Sequence, residues 1–474
     1  MVFNSLHFVA FLAVVYPIYR ALPHRAQNWM LVAASYYFYA AWDWRFLGLL
    51  VGSTVIDFFV ARYLDATDDA RRRKMALVLS LVFNLGMLGF FKYFNFFEEN
   101  FARLLESLGL QADVITLDVI LPIGISFYTF MTVSYVIDVY RRQIPAERNL
   151  IDFALFVAYF PHLVAGPVLR ASLLLPQIKR PRAITVEQIL DGLWLVVWGY
   201  FQKIFVADNL GHLVDAVHDP SASIRGGDAL VAAYAFSFQI YGDFAGYSNI
   251  ARGVSKLMGI ELNVNFLFPY LTVSPREFWR HWHISLSTWL RDYLYIPLGG
   301  NRGSTLKVYR NLMVTMTLAG LWHGAGWTYI VWGVYQGAIL VVDHAVMQVA
   351  TRFGWSLPKG LTWPRVLLVI FMFNVTSLGF VIFRAPTIAA AWEMLTLIAT
   401  DLHTSPTTIS ALLLPLLGLV LPLLVVHLYQ FSKGSELAVR QLPLVLRYSL
   451  YGAVIYLTIL FGDFQGAQFI YFQF

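Results

Sequence analysis

The sequence predicts an all-α, polytopic integral membrane protein, and three observations support this prediction. Hydrophobic residues make up 58% of the 474-residue chain and charged residues only 13%, whereas about 25% of an average soluble domain is charged. The mean hydropathy is +0.62. Residues 311–342 contain no Asp, Glu, Lys or Arg over roughly thirty positions, and about 20 are enough to cross a bilayer. At that length per span, roughly ten to thirteen membrane elements fit, some of them re-entrant or interfacial.

Composition also limits the class of protein and its partners. No stretch is polar enough to form an attached soluble domain, so residues 1–474 are predicted to be a single transmembrane domain. The chain has no cysteine, which excludes disulfides, thiolate metal sites and a cysteine nucleophile. The net charge of +6 comes from Lys and Arg in short loops, which is typical of topology signals. We therefore expect a lipid bilayer as partner and no nucleic acid.

The apolar runs predict the membrane helices in order. Spans are expected at about residues 5–19, 29–42, 46–63, 75–94, 120–140, 189–205, 230–244, 366–383, 410–429 and 448–461, with a shorter amphipathic helix at 388–398. Basic loops around Arg20, at residues 71–74 and around Arg141 are each separated by two spans, so all three can lie in the cytoplasm. This assignment predicts a periplasmic N-terminus. Because the first residues lack a basic n-region and a small-residue cleavage site, they are predicted to be a retained first helix rather than a signal peptide.

Residues 275–302 are too charged for a lipid-facing span and too aromatic for an ordinary loop. Read as one helix, they form a broad aromatic face with the charged positions elsewhere, which is typical of a helix that lies at the membrane interface or dips into the protein. On such a helix His281 and His283 point to different sides. His283, flanked by Trp282 and Ile284, is the more enclosed of the two, with a structural interfacial histidine as the alternative interpretation.

His323 is the one side chain in residues 311–342 that titrates near neutral pH. It follows Trp322 and precedes a glycine-rich break at 324–326, which is expected to loosen the helix. Polar groups and irregular backbone at membrane depth are tolerated where they are buried in protein or line a cavity. An intramembrane histidine is therefore a hypothesis for function, and the alternative is a structural histidine bonded to a neighbouring carbonyl.

Three other polar residues in apolar surroundings are interpreted mainly as structural. Asp243 lies at what the glycine-rich sequence predicts to be a helix end, where it either orients a polar site or caps the following residues. His162, next to Pro161, is predicted to be a bonded turn residue. His427 is predicted to be interfacial, near the end of a span.

The chemistry that this inventory supports best is acyl transfer. No P-loop, dinucleotide fingerprint, HExxH or GxSxG motif occurs. Two histidines are too few to predict a metal site, and proton-coupled transporters usually carry further intramembrane carboxylates. A neutral imidazole can accept a proton from a hydroxyl, while indole or amide N–H groups can stabilise an oxyanion. A transporter or flippase is the alternative from another class.

Two long motifs resemble those of the membrane-bound O-acyltransferases, and within them the membrane subunits of bacterial alginate O-acetylation. They extend from EFWR at 277–280 to GGNR at 299–302, and over LWHGA at 321–325. Further agreement covers most of the chain, including the start MVF, LPIGISFY at 121–128 and FPHLVAGP at 160–167. The resemblance places the catalytic histidine at His323 and the second family histidine at His283. The candidates for lining a tunnel or substrate site are Trp322, Trp282, Asn301 and Asp243.

The resemblance also implies the architecture and the reaction. It implies a ring of helices around a central tunnel, in which acetyl from acetyl-CoA crosses the bacterial inner membrane to O-acetylate an exopolysaccharide such as alginate. No permanently bound cofactor is expected, and the partner would be a periplasmic SGNH-type subunit or another polysaccharide-modification protein. The alternatives are O-acetylation of cellulose or peptidoglycan, or D-alanyl transfer to teichoic acid. Departures from the alginate pattern at 247–252 and at His281 leave the polymer open.

Overall fold

The structure, a computed structural model, describes residues 1–110, 117, 119–164, 166–219, 221–355, 357–358, 360, 362–404, 408–465 and 469–470. Within these residues the chain is predominantly helical and contains no β-strand. The α-helices are, in order, α1 (Leu6–Ala21), α2 (His24–Asp43), α3 (Leu47–Ala66), α4 (Ala70–Ser107), α5 (Ile125–Tyr140), α6 (Leu150–Ala158), α7 (Phe160–Leu163), α8 (Ala171–Lys179), α9 (Val186–Tyr200), α10 (Asp208–His218), α11 (Gly226–Leu257), α12 (Pro275–His281), α13 (Ile284–Leu290), α14 (Thr305–His323), α15 (Trp327–Arg352), α16 (Trp363–Arg384), α17 (Ile388–Thr400), α18 (Leu414–Ser432) and α19 (Leu444–Phe461). Short 3₁₀ helices lie at Trp44–Phe46, Pro269–Leu271 and Ala438–Gln441, and π-helical turns at Phe201–Ala207, Arg291–Tyr295 and Ile409–Leu413.

Seven helical segments in the described part of the chain are long and apolar enough to cross a membrane. They are His24–Ala66, Ala70–Ser107, Val186–His218, Trp327–Arg352, Trp363–Arg384, Ile409–Ser432 and Leu444–Phe461. The helices α1 and α17 are apolar but shorter. The prediction of an all-α, multi-pass membrane protein is confirmed, whereas the number of ten to thirteen membrane elements stays a prediction.

Most predicted spans lie within an observed helix, and local chemistry explains several starts. The side chain of Ser5 caps α1 and that of Asp69 caps α4, each accepting hydrogen bonds from backbone N–H groups of the first turn. The helix α4 continues to Ser107, beyond its predicted end, and the predicted span 230–244 is the middle of the longer helix α11. The apolar runs located these two helices correctly but underestimated their length.

The chain divides into two compact units, one comprising Met1–Leu193 and Ala251–Asn263 and the other Trp194–Ile250 and Val264–Phe474. The prediction of a single domain stays a prediction. In the first unit, the buried carboxylate of Asp57 on α3 accepts hydrogen bonds from Ser80 Oγ at 2.6 Å and Asn84 Nδ2 at 2.9 Å on α4. Because these bonds satisfy a carboxylate inside apolar helices, they stabilise the packing of α3 on α4.

In the second unit, α14 and α15 form an antiparallel helical hairpin. Where the sequence predicts a helix loosened by glycines, the structure shows a reversal of the chain, because α14 ends at His323 and α15 begins at Trp327. Glycines allow the two backbones to approach closely. A Cβ atom on Gly333 would lie 2.5 Å from Met316 O, and one on Gly337 would lie 3.2 Å from Met313 Cα. The hairpin thus places His323 at its tip.

The close approach predicts that Gly333→Ala will destabilise the protein. A methyl group there overlaps backbone atoms of α14, and such overpacking costs about 1–3 kcal/mol, so the thermal midpoint of the purified protein in detergent should fall. The control is Gly418→Ala on α18, because a Cβ atom at Gly418 meets no atom within 4 Å and alanine favours a helix. Equal midpoints for the two variants would contradict tight packing at Gly333.

Candidate active site

The segment that contains His283 is two short helices joined by a sharp turn. The prediction of one continuous interfacial helix is wrong, because α12 ends at His281 and α13 begins at Ile284. Between them, His283 adopts the left-handed conformation with φ of +41°. This conformation is uncommon for a residue other than glycine and persists where surrounding structure holds it. The turn therefore directs the imidazole in a way that a regular helix would not.

Asn265 holds this turn. Its backbone oxygen accepts the Ile284 N–H at 2.9 Å, and its side-chain oxygen accepts hydrogen bonds from the Ser285 N–H and hydroxyl at 3.2 and 2.9 Å. The neighbouring His281 is oriented separately, with Nδ1 2.7 Å from the backbone oxygen of Leu267. Because nothing in the sequence around Asn265 marks this role, sequence reasoning missed it.

The structure brings the two family histidines together. The ring centroids of His283 and His323 are 6.4 Å apart, and the residues are 0% and 3% exposed. His323 is the last residue of α14, and its predicted neighbour Trp322 lies 5.1 Å away from it and 5.9 Å from His283, measured between ring centroids. Three of the six site residues predicted from the sequence thus form one buried cluster.

Aromatic rings enclose both imidazoles. Trp332 and Phe383 pack perpendicular to the His323 ring, with centroids at 5.2 and 5.5 Å. Phe244 packs edge-on against His283 at 4.6 Å. This enclosure excludes water, which strengthens any hydrogen bond or charge that forms inside it.

His283 lies outside the seven candidate spans. Burial lowers the pKa of its imidazole well below the usual range, and the neighbouring His323 lowers it further. The His283 ring is therefore neutral near pH 7, as a hydrogen-bonding or proton-accepting group must be.

Two of the other predicted site residues have their side chains in other contacts. The Trp282 ring stacks on Phe278 at 5.3 Å and packs against Phe266 at 5.0 Å, and Phe266 in turn stacks on the His283 ring at 6.2 Å. Asn301 is exposed, and its side-chain oxygen accepts the Tyr295 hydroxyl at 2.6 Å. Trp282 thus supports the turn at His283, while Asn301 belongs to a neighbouring cavity.

That cavity has a volume of about 640 Å³ and a basic lining. The residues around it are Arg276, Trp279, Arg280, Ile284, Ser287, Thr288, Arg291, Tyr295, Asn301, Leu312, Leu340 and His344. Arg276 and Arg291 form ion pairs with Asp343 and Asp292, whereas Arg280 has no ion-pair partner among the described residues. The surplus of guanidinium groups favours an anionic ligand.

Aromatic contacts connect the cavity wall to the histidines. Trp279 lines the cavity and contacts Trp332 with ring centroids 6.0 Å apart. Trp332 in turn contacts His323. Ile284, another lining residue, directly follows His283. The Trp332 ring therefore lies between the cavity wall and His323.

Asp243 is not at a helix end, so the interpretation of it as a cap is wrong. It lies in the middle of α11, 3% exposed, where its carboxylate pairs with Lys203 Nζ at 2.7 Å. Lys203 also contacts Asp208 at 2.6 Å. The second oxygen of Asp243 accepts the backbone N–H of Ile470 at 2.6 Å. The three charged groups form a buried cluster, and Asp243 connects it to the backbone of Ile470.

Sequence reasoning overlooked Lys203, although a signal was present. A lysine within the predicted span 189–205 is an intramembrane charge, which normally has a specific partner. The structure places it on the π-helical turn Phe201–Ala207, an element that recurs at functional sites. Its two carboxylate partners are about 5 and 40 residues away in sequence, so no local pattern pairs them.

Two further histidines, His162 and His427, are buried and have polar groups near their ring nitrogens. Both ring nitrogens of His162 lie near backbone oxygens, those of Tyr159 at 3.2 Å and Phe156 at 3.1 Å, so the prediction of a bonded residue is confirmed. His427 is 7% exposed and its Nε2 lies 3.3 Å from the Tyr241 hydroxyl. Its interfacial position near the end of a span stays a prediction.

Comparison with known proteins gives one family and a consistent set of relatives. Residues 139–382 match the membrane-bound O-acyltransferase family. The chain is 44% identical to the probable alginate O-acetylase of Azotobacter vinelandii, over 83% of this chain and 77% of that protein. It is 45% identical to that of Pseudomonas aeruginosa, over 83% and 74%. It is 37% identical to the peptidoglycan O-acetyltransferase of Helicobacter pylori, over 83% and 79%.

The charged cluster predicts an order of stability among its variants. Lys203→Met leaves two buried carboxylates without their cation and should destabilise the protein by about 3–5 kcal/mol. Asp243→Asn should have a smaller effect, because Lys203 keeps Asp208 and the amide oxygen can still accept the Ile470 N–H. Thermal midpoints in detergent measure both. A larger loss for Asp243→Asn than for Lys203→Met would refute this account.

Proposed function

Because this chain belongs to the membrane-bound O-acyltransferase family and is therefore a membrane acyltransferase, we propose that it transfers acetyl groups for the O-acetylation of an exopolysaccharide such as alginate. The observation that supports this most directly is the buried pair His283 and His323, which the fold brings together from two separate family motifs. The relatives named for alginate O-acetylation are also more similar to this chain than the one named for peptidoglycan.

In the proposed reaction His323 is the general base. The acceptor hydroxyl adds to the carbonyl carbon of an acetyl thioester while its proton moves to the imidazole of His323. The tetrahedral intermediate then collapses, the C–S bond breaks, and the leaving thiolate takes the proton from His323. His283, neutral and held by its left-handed turn, would position the donor or the acceptor. An acetyl group carried transiently on His323 is the alternative course.

The basic cavity is the proposed entrance for the donor. Acetyl-CoA carries several phosphates, and arginine side chains bind phosphate through charge-assisted hydrogen bonds. Arg280, which has no ion-pair partner among the described residues, lines a cavity together with Arg276 and Arg291, and the cavity wall contacts the aromatic enclosure of His323. Acetyl-CoA would be a substrate here rather than a bound cofactor.

We further propose that the acetyl group crosses the bacterial inner membrane. A cytosolic donor and an extracytoplasmic polysaccharide require a transfer site that both compartments can reach. The basic loops support a cytoplasmic assignment for their side and a periplasmic N-terminus. An SGNH-type subunit or another polysaccharide-modification protein would then accept the acetyl group in the periplasm.

A second candidate is O-acetylation of peptidoglycan, which the 37% identity to the Helicobacter pylori protein favours. Both polymers offer sugar hydroxyls, so the chemistry at His323 would be the same. Comparing acetyl content of secreted polysaccharide and of purified cell wall, with and without the gene, separates the two.

The rival from another class, a transporter without covalent chemistry, is tested on the purified protein. Incubation with acetyl-CoA radiolabelled in the acetyl group, in vesicles containing an acceptor, should cleave the thioester and transfer the label. Movement of intact labelled substrate without cleavage would refute the enzymatic proposal.

Replacing His323 should abolish the reaction. His323→Ala removes the base, and general-base catalysis contributes about 10²–10⁴-fold, so acetyl groups on the polymer should fall to the level of a gene deletion. His283→Ala should be damaging but less complete. NMR of the purified polysaccharide measures acetyl content, and quantitative blotting of membranes verifies insertion.

His403→Ala is the matched control, because the His403 side chain is 82% exposed and pairs with Asp401. It should retain full acetylation. Retained acetylation in His323→Ala would remove this residue from the mechanism.

The donor cavity predicts an effect on KM. Arg280→Ala removes a hydrogen bond to phosphate worth about 1.5 kcal/mol, so KM for acetyl-CoA should rise roughly tenfold with kcat little changed. Arg103→Ala is the control, since Arg103 is exposed on α4 in the other unit. A fall in kcat with unchanged KM would place the donor elsewhere.

A further inference from the structure

Trp332 packs directly against His323 within the helical hairpin. It lies on α15, and its ring is perpendicular to the imidazole, at 89° with centroids 5.2 Å apart. On its other sides it contacts Phe383 at 5.2 Å and Trp279 at 6.0 Å. These contacts fix the indole in place beside the proposed base.

The indole Nε1 of Trp332 is buried and has no hydrogen-bond partner among the residues that the structure describes. The whole residue is only 2% exposed. Buried N–H groups are almost always bonded, and leaving one unsatisfied costs about 1–3 kcal/mol. Aromatic packing alone does not require this group, because ring contacts do not need an N–H donor.

A structural partner for this N–H would have to come from nearby. The closest candidate by sequence is Gln336, one turn later on α15, whose side-chain oxygen is also buried without a partner in the described part of the chain. The two groups do not form a hydrogen bond. Both donor and acceptor therefore remain available near the hairpin tip.

Acyl transfer creates the charge that such a donor stabilises. When a nucleophile adds to the thioester carbonyl, the electrons of the C=O bond move to oxygen and form an oxyanion. Fixed N–H donors in a dry site stabilise this oxyanion without reorganising, and this is among the largest contributions to catalysis. The aromatic enclosure of His323 is such a site.

We propose that Trp332 is a catalytic residue whose indole N–H donates a hydrogen bond to the oxyanion formed on the acetyl carbonyl beside His323. The inference rests on the proposed function. The indole keeps its proton throughout, since the proton of the acceptor hydroxyl moves to His323 and then to the leaving thiolate. The role is the same if His323 itself is the attacking nucleophile, because that addition also forms an oxyanion.

Trp332→Phe tests the proposal, because it removes the N–H and retains an aromatic ring. We expect kcat for acetyl transfer to fall about 10²-fold with KM for acetyl-CoA within about threefold, as for loss of one oxyanion donor. The protein should still fold, since an unsatisfied buried donor is lost rather than created. Steady-state kinetics, normalised to monodisperse protein on size exclusion, measure both parameters.

Trp194→Phe is the matched control. Its indole Nε1 is likewise buried without a partner in the described residues, but its ring stacks on Trp198 and Tyr451 and contacts neither histidine. It should retain wild-type kcat. Gln336→Leu should also retain kcat, because the proposal gives that side chain no part in the reaction.

Three outcomes would overturn the proposal. The first is wild-type kcat in folded Trp332→Phe, and the second is an equal loss in Trp194→Phe. The third is a matching loss in Gln336→Leu, which would indicate a structural pair on α15. His323→Ala, assayed in parallel, separates this inference from the proposed function. Its inactivity together with an active Trp332→Phe rejects only the inference, and an active His323→Ala removes His323 from the proposed mechanism. Absence of acetyl transfer by the wild-type protein in the same assay rejects the proposed function itself.

Discussion

The close antiparallel packing of α14 and α15 is the constraint on which the candidate site depends. Because Gly333 and Gly337 bring the two backbones together, the chain can reverse within 324–326 and leave His323 at the hairpin tip. Larger residues would separate the helices and move the imidazole. Small residues serve this purpose in membranes, where van der Waals contact rather than expulsion of water drives helices together.

The second half of the site follows from a strained turn rather than from a regular element. His283 holds a left-handed conformation between α12 and α13, and Asn265 satisfies the backbone groups that the break leaves open. Strain of this kind persists when the surrounding structure over-determines it, and it concentrates at functional positions. The turn and the hairpin tip together bring two imidazoles from different motifs within 6.4 Å.

Polar groups in the apolar interior fall into two sets, those with hydrogen-bond or ion-pair partners and those without a partner among the described residues. Asp57 is saturated with hydrogen bonds, and Lys203 is matched by two carboxylates, so each stabilises the fold in which it lies. Trp332, by contrast, carries a buried donor with no partner among the described residues. Groups of the first kind hold helices together. An unsatisfied donor does not by itself mark a functional residue, since Trp194 carries one too; in our proposal the contact between Trp332 and His323 makes the Trp332 donor available to a reacting molecule.

The sequence by itself determined the all-α membrane class and the approximate position of most spans, and it singled out the two histidines that the structure brings together. Hydropathy and sequence motifs are local properties of the chain, so they can be recognised without knowing which distant residues are in contact. Only the tertiary structure decided that residues 311–342 fold back as a hairpin, that the helix predicted over 275–302 is interrupted at His283, and that Asp243 pairs with Lys203. Those outcomes depend on which backbones approach closely and which buried charges meet, and these are contacts between positions far apart in the chain.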